Sequence, residues 1–100
     1  MNYRNRKLTQ SAKHESCVSC GTDDGTIVWA HSNRQKHGKG MGIKAHDLFG
    51  AYLCSRCHKD YDELPEHRFI ELNIDGFNKT DWFIYVWERS MLIACTKSYL

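Results

Sequence analysis

"YLCSRCHKDYDE", Tyr52 to Glu63, is the stretch on which the reading of this chain turns. It holds a Cys-x2-Cys pair, a histidine directly after it, and an aspartate four residues beyond that histidine. The run from Cys54 to about Leu64 reads as a short helix that Pro65 stops. On such a helix His58 and Asp62 are i and i+4, so they share a face and can reach one ion. The cysteines have a counterpart upstream in "CVSCGTDDG", where Cys17-x2-Cys20 runs into a turn rich in glycine and aspartate. An x2 spacing lets both sulfurs of a pair point at one tetrahedral ion. Cys17, Cys20, Cys54 and Cys57 together make a closed four-thiolate site, which is structural Zn2+ chemistry with no open position for substrate. The 33 residues between Cys20 and Cys54 exceed the gap of a simple zinc ribbon, so they must hold a substructure of their own.

The bulk numbers set the frame. One hundred residues make one domain with a modest core, the size class that benefits from a staple. At 41% hydrophobic residues the chain is not disordered by composition. Neither an apolar run of 18 residues nor an apolar segment near "MNYRNRKLTQ" is present, so neither a membrane span nor a secretory leader is read, and the expected location is cytoplasmic (the host cell's cytoplasm if the chain is phage-encoded). That setting favours metal over disulfides for the paired cysteines. The fifth, Cys95, lies in an apolar helical stretch and reads as a buried free thiol. Charge is unevenly placed. Residues 1–59 carry ten Lys/Arg against four Asp/Glu, net +6, and residues 60–100 carry four against eight, net −4. A basic half that also holds the cysteines points to a polyanion, most simply nucleic acid.

Three regions follow. Residues 1–16 are a basic N-terminal arm with little hydrophobic pattern, read as a frayed extension or a helix that orders on a partner. Residues 17–64 hold the two cysteine pairs. Within them "TIVWAH", Thr26–His31, is β-branched and aromatic and reads as a strand ending at His31. "SNRQKHGKGMGIKAH" is a long loop with Arg34, Lys36, Lys39 and Lys44, expected to contact nucleic acid. "DLFGAYL" reads as a second strand or a turn of helix. Residues 65–100 form a helical extension packing on the module. In it "RFIELNIDGFN" is ambiguous between strand and helix, and Thr80 is the expected cap of a helix from about Asp81 to Lys97. Apolar residues cover most of that helix's circumference, so it packs on more than one surface or forms a homodimer contact.

His31, at the end of a strand leaving the first cysteine pair, is the candidate general base, because imidazole titrates near neutrality. A strand ending in histidine, a loop, a polar residue and then "CSRCH" opening a helix resembles the HNH nucleases and their ββα-metal fold. The stretch "CVSCG…TIVWAH…GMGIKAHDLFGAYLCSRCHKDYDE" is similar to the small HNH-like proteins of lambdoid phages and prophages, the YbcO type. The resemblance spans about Cys17 to Glu63, nearly half the chain. It implies an α+β fold: a small zinc-stapled ββα-metal (HNH-like) module with an additional C-terminal helix. By position it implies His31 as general base, Asp47 in the middle, asparagine-like place, and His58 and Asp62 as ligands of a second divalent ion (Mg2+, Mn2+, Ni2+ or Zn2+). Two positions depart from the pattern. Ala30 stands where a ligand often precedes the base, and Asp47 replaces asparagine seven residues before Cys54. His37 and His46 are the loop's further candidates for the ion.

The implied activity is metal-dependent endonuclease cleavage of nucleic acid, DNA before RNA, in phage or prophage DNA metabolism. Two other classes use the same features. A non-catalytic zinc-finger nucleic-acid-binding protein needs the cysteines and the basic loop but not His31. A zinc-stapled protein-interaction module would use the aromatic C-terminal helix.

Overall fold

The computed structural model describes residues 2–72 and 76–100. The chain is α+β; the described residues form a two-stranded sheet with four α-helices around it. Helix α1 spans Arg6–Gln10 and runs into a 3₁₀ turn at Ser11–His14. Strand β1, Val28–His31, pairs antiparallel with β2, Gly50–Leu53, with His31 opposite Gly50 and Val28 opposite Leu53. Helices α2, Ser55–Glu63, α3, Glu66–Leu72, and α4, Lys79–Thr96, follow. In "DLFGAYL" the last four residues are strand, and "RFIEL" is helix; the rest of that ambiguous stretch includes residues 73–75, outside the described ones. Among the described residues no helix is long and apolar enough to cross a membrane.

All four residues of β2 are buried. Tyr52 is the largest fully buried side chain. Its hydroxyl lies 2.7 Å from Ser11 Oγ, and its backbone N–H donates to Ser90 Oγ at 3.0 Å. Helix α4 turns Trp82, Phe83, Val86, Ser90 and Ala94 inward, an i, i+4 stripe. Tyr61 of α2 stacks on Phe83 with ring centroids 5.2 Å apart, and Trp82 takes Phe69 of α3 edge-on at 5.2 Å. The opposite face of α4 leaves Ile84, Tyr85 and Leu92 exposed.

Three local readings are corrected. The cap of α4 is Asn78, whose Oδ1 accepts the Asp81 N–H at 2.8 Å, so the helix starts at Lys79 rather than after Thr80. Cys95 is exposed, because Ala94, one position earlier, takes the inward place. The described part of the basic arm is packed rather than frayed. Leu8 is fully buried, and Glu15, also buried, accepts from Lys97 Nζ at 2.8 Å and Tyr99 Oη at 2.9 Å. The arm's few apolar residues, Leu8 and Ala12, fall i, i+4 and were too sparse to register as a pattern.

Gly50 has a packing reason. A Cβ built there would lie 2.5 Å from Cε2 of Trp29, which crosses it. The freed space lets the Trp29 indole N–H reach the carbonyl of Asp47 at 2.7 Å. Gly50→Ala is expected to destabilise by about 1–3 kcal/mol through overpacking. A chemical-denaturation midpoint equal to wild type would contradict this account.

Candidate metal centre and histidine cleft

Two constellations sit on either side of α2's first turn. The first is the cysteine cluster. The ligand sulfurs of Cys17, Cys20, Cys54 and Cys57 lie within 4.8 Å of one another, a group able to hold a metal ion such as zinc. Local backbone builds it. Gly21, with φ of +80°, closes a turn whose N–H donates to the Cys17 carbonyl at 2.9 Å. The Val18 N–H donates to the Tyr52 carbonyl at 3.0 Å, which ties this turn to β2. Cys54 caps α2, its sulfur accepting the Cys57 N–H at 3.5 Å.

Crowding makes the four thiols unequal. A hydrogen bond from Cys57, opposed by burial and helped by backbone N–H groups, holds the Cys17 thiol down at about 4. The same Cys17 contact, with burial, pushes Cys57 up, and burial pushes Cys54 up. Each thiolate raises the cost of the next. A divalent cation removes that conflict, since every sulfur then faces positive charge.

The second constellation is an open cleft of about 740 Å³, whose lining includes His31, Asp47, His58 and Asp62 together with the cations Arg4, Arg6, Lys39 and Lys44. It contains two histidine–carboxylate pairs. His31 Nε2 lies 2.7 Å from Asp47 Oδ1, and His58 Nε2 lies 3.0 Å from Asp62 Oδ2. Among the described residues, the four cysteines are the one group of three or more side chains close enough to share a metal ion. His31, His58 and Asp62 therefore share a cleft without forming a three-ligand set, and Ala30, which pairs with Ala51, is buried.

Asp47 is the most constrained residue of the cleft. Trp29 holds its carbonyl, and the Trp87 indole N–H donates to the next carbonyl, Leu48, at 2.7 Å. Its carboxylate accepts the Asn5 N–H at 2.6 Å and Arg4 Nη1 at 3.2 Å besides His31. Burial alone would raise its pKa, but the hydrogen bonds from His31 and Asn5 and the neighbouring positive charges outweigh burial and hold it below the ordinary carboxylate value. A depressed folded value means Asp47 contributes stability above its unfolded pKa, and that contribution is lost as pH falls through the folded one. The stability gap between wild type and Asp47→Asn is therefore expected to be constant near neutrality and to close below about pH 4; a gap that widens with acid would reverse the assignment. An ionised Asp47 can only accept, so Nε2 of neutral His31 carries the hydrogen and Nδ1 holds the lone pair.

Of the expected phosphate contacts, Lys39 and Lys44 line the cleft, whereas Arg34 and Lys36 do not. Arg4 and Arg6 of the arm take their place. His37 and His46 are engaged elsewhere. His37 stacks on Phe49 with centroids 4.1 Å apart and lies 2.7 Å from Ser32 Oγ; burial, then Arg34 and Lys36, lower its pKa. His46 Nδ1 accepts the Tyr3 N–H at 2.8 Å. Asn33 was not singled out from sequence. Its Nδ2 donates to Asp62 Oδ1 at 3.0 Å and its N–H to Tyr61 Oη at 3.1 Å, which fastens α2 to the exit of β1. The one signal for it was its place two residues after His31.

The chain matches no protein-family model, no curated protein and no solved structure.

Proposed function

We propose that this chain is a metal-dependent endonuclease of the HNH-like kind that hydrolyses phosphodiester bonds of DNA, with Zn2+ in the cysteine cluster as a structural staple. The observation that carries the reading is the pairing of His31 with an ionised, buried Asp47 in a cleft walled by four cations. A carboxylate that fixes the histidine tautomer leaves the other ring nitrogen free to take a proton from water. Arg4, Arg6, Lys39 and Lys44 supply the charge that draws and holds a phosphate backbone. His58 and Asp62, a mixed nitrogen and oxygen pair on one helical turn, fit two positions of an open, hydrated divalent site. Held there, such an ion would stabilise charge on the phosphate and its leaving oxygen. The chain's own part is to seat the phosphate between the two histidine pairs and to remove a proton at His31.

The test is nicking of supercoiled plasmid with Mg2+, Mn2+, Ni2+ or Zn2+ added to zinc-loaded protein, for wild type and for His58→Ala/Asp62→Ala. Nicking that depends on the added ion and is lost in the double variant is expected. Salt-dependent DNA binding with no nicking under any ion would favour the non-catalytic binding reading instead.

Binding separates the cleft cations from the rest. Lys39→Ala and Lys44→Ala are each expected to reduce the salt slope of duplex binding by about 1, whereas Lys36→Ala leaves it unchanged. Equal slopes for all three variants would place the phosphate path elsewhere.

A further inference from the structure

The loop between Gly38 and Lys44 carries more than charge. Gly40 and Ile43 exchange both backbone hydrogen bonds, at 3.1 and 3.0 Å, which makes a tight hairpin with Met41 and Gly42 at its tip. Gly42 has a φ of +68°, the left-handed region that a turn's third residue adopts when it is glycine. The base of the hairpin is tied down. Asn2 Nδ2 donates to the carbonyls of Gly38 and Lys44 at 2.7 and 2.8 Å, and Arg4 Nη2 donates to Lys44 O at 2.9 Å.

At the tip of this pinned turn Met41 is 100% exposed, and Ile43 beside it is 53% exposed. Single apolar residues on a surface need no explanation. Three features set this one apart. It stands at the extreme of a hydrogen-bonded turn rather than on a flat face. The flanking Lys39 and Lys44 both line the cleft that contains His31. And the two apolar side chains make no contribution to the core.

We propose that the Met41 tip is a wedge that enters a base step of duplex DNA and partly unstacks it, while Lys39 and Lys44 hold the adjoining phosphates. Apolar side chains between base steps are an established way to kink a duplex and bring more backbone onto a protein. Duplex is favoured over single strand because single-strand platforms stack bases on aromatic rings, and the tip offers methionine and isoleucine but no ring. A protein groove is disfavoured by the lysine on each side of the apolar pair. The proposal rests on the nucleic-acid reading of the cleft and not on cleavage.

Unwinding reads the wedge without knowledge of its binding site. Closed-circular plasmid is relaxed by a topoisomerase with the zinc-loaded protein present and no other divalent ion added, and the topoisomers are then separated. Wild type is expected to shift the distribution progressively with occupancy. Met41→Ala should return it to near the protein-free position at equal occupancy, with an unchanged salt slope of binding, and Met41→Leu should keep the shift. The proposal is overturned if wild type occupies the plasmid without unwinding it, if Met41→Ala unwinds as well as wild type, or if the protein does not bind duplex. Mg2+, Mn2+, Ni2+ or Zn2+ added in turn to the same plasmid reads nicking separately. Unwinding without nicking under any of these ions sustains the wedge and removes the nuclease reading; nicking without unwinding does the reverse.

Discussion

Replacing His31 by alanine is expected to lower plasmid nicking by about 10²–10⁴-fold, the contribution of a positioned general base. The protein should stay folded. His31 ends β1, and its side chain hydrogen-bonds Asp47, which keeps Asn5 and Arg4 as partners when the imidazole is removed. Metal content and the thermal midpoint are therefore controls that a structural role would move and a proton-transfer role would not. Asp47→Asn supplies the complementary case. The amide offers a donor where the carboxylate accepts, so the fixed tautomer is lost, and nicking should fall although His31 is present. The pH–rate profile distinguishes the two variants. With His31 absent, the limb belonging to the base disappears; with Asp47→Asn it persists. Nicking by His31→Ala at the wild-type rate would end the assignment of His31 as base.

Stripping the cysteine cluster should have the larger effect on the fold. Structural zinc in small modules binds with about 10–16 kcal/mol at neutral pH. A domain's whole stability is about 5–15 kcal/mol. Cys17, Cys54 and Cys57 belong to the hydrophobic cluster that joins α1, the two strands, α2 and α4, so among the described residues the metal cluster and the core are one unit. Chelation, or Cys54→Ser, is expected to abolish cooperative unfolding and near-ultraviolet circular dichroism. Cys54 is the sharper choice because serine there can still accept the Cys57 N–H and cap α2, so the variant removes the thiolate without removing the cap. Cys95→Ser is the control, since an exposed thiol on α4 should change stability by no more than about 0.5 kcal/mol. A cooperative transition for Cys54→Ser within a few degrees of wild type would show that the cluster is dispensable.

Sequence and structure meet closely where a short-range rule applies. Two x2 cysteine pairs and an i, i+4 histidine and aspartate are local spacings, and the α2 reading from Cys54 to Leu64 agrees with Ser55–Glu63. Strand β1 was legible from its β-branched and aromatic run, with its end at His31. Contacts between distant parts of the chain were not legible. Nothing in "YRNR" indicates that Arg4 and Asn5 reach a carboxylate 43 and 42 residues away. The arm's burial depends on Leu8 and Ala12, which yield no periodic signal in so polar a segment. Cys95 was misplaced because apolar residues cover most of the helix's circumference and leave its rotational setting undetermined by pattern; the bond of Ser90 to β2 and the burial of Ala94 fixed it. The hairpin at Gly40–Ile43 was read only as loop, since its order comes from backbone bonds and a clamp by Asn2.

Cys57 and His58 are consecutive residues of one helix, and one belongs to the metal cluster while the other lines the cleft. Successive helical positions differ by about 100° in direction. The two constellations are therefore locked in rotational phase, like two hands on one spindle. A single residue inserted after His58 would leave the cysteines where they are and swing Asp62 a quarter-turn and more away from its histidine and from Asn33. An insertion or deletion between His58 and Asp62 is therefore expected to break the His58–Asp62 and Asn33–Asp62 contacts while leaving the four sulfurs together.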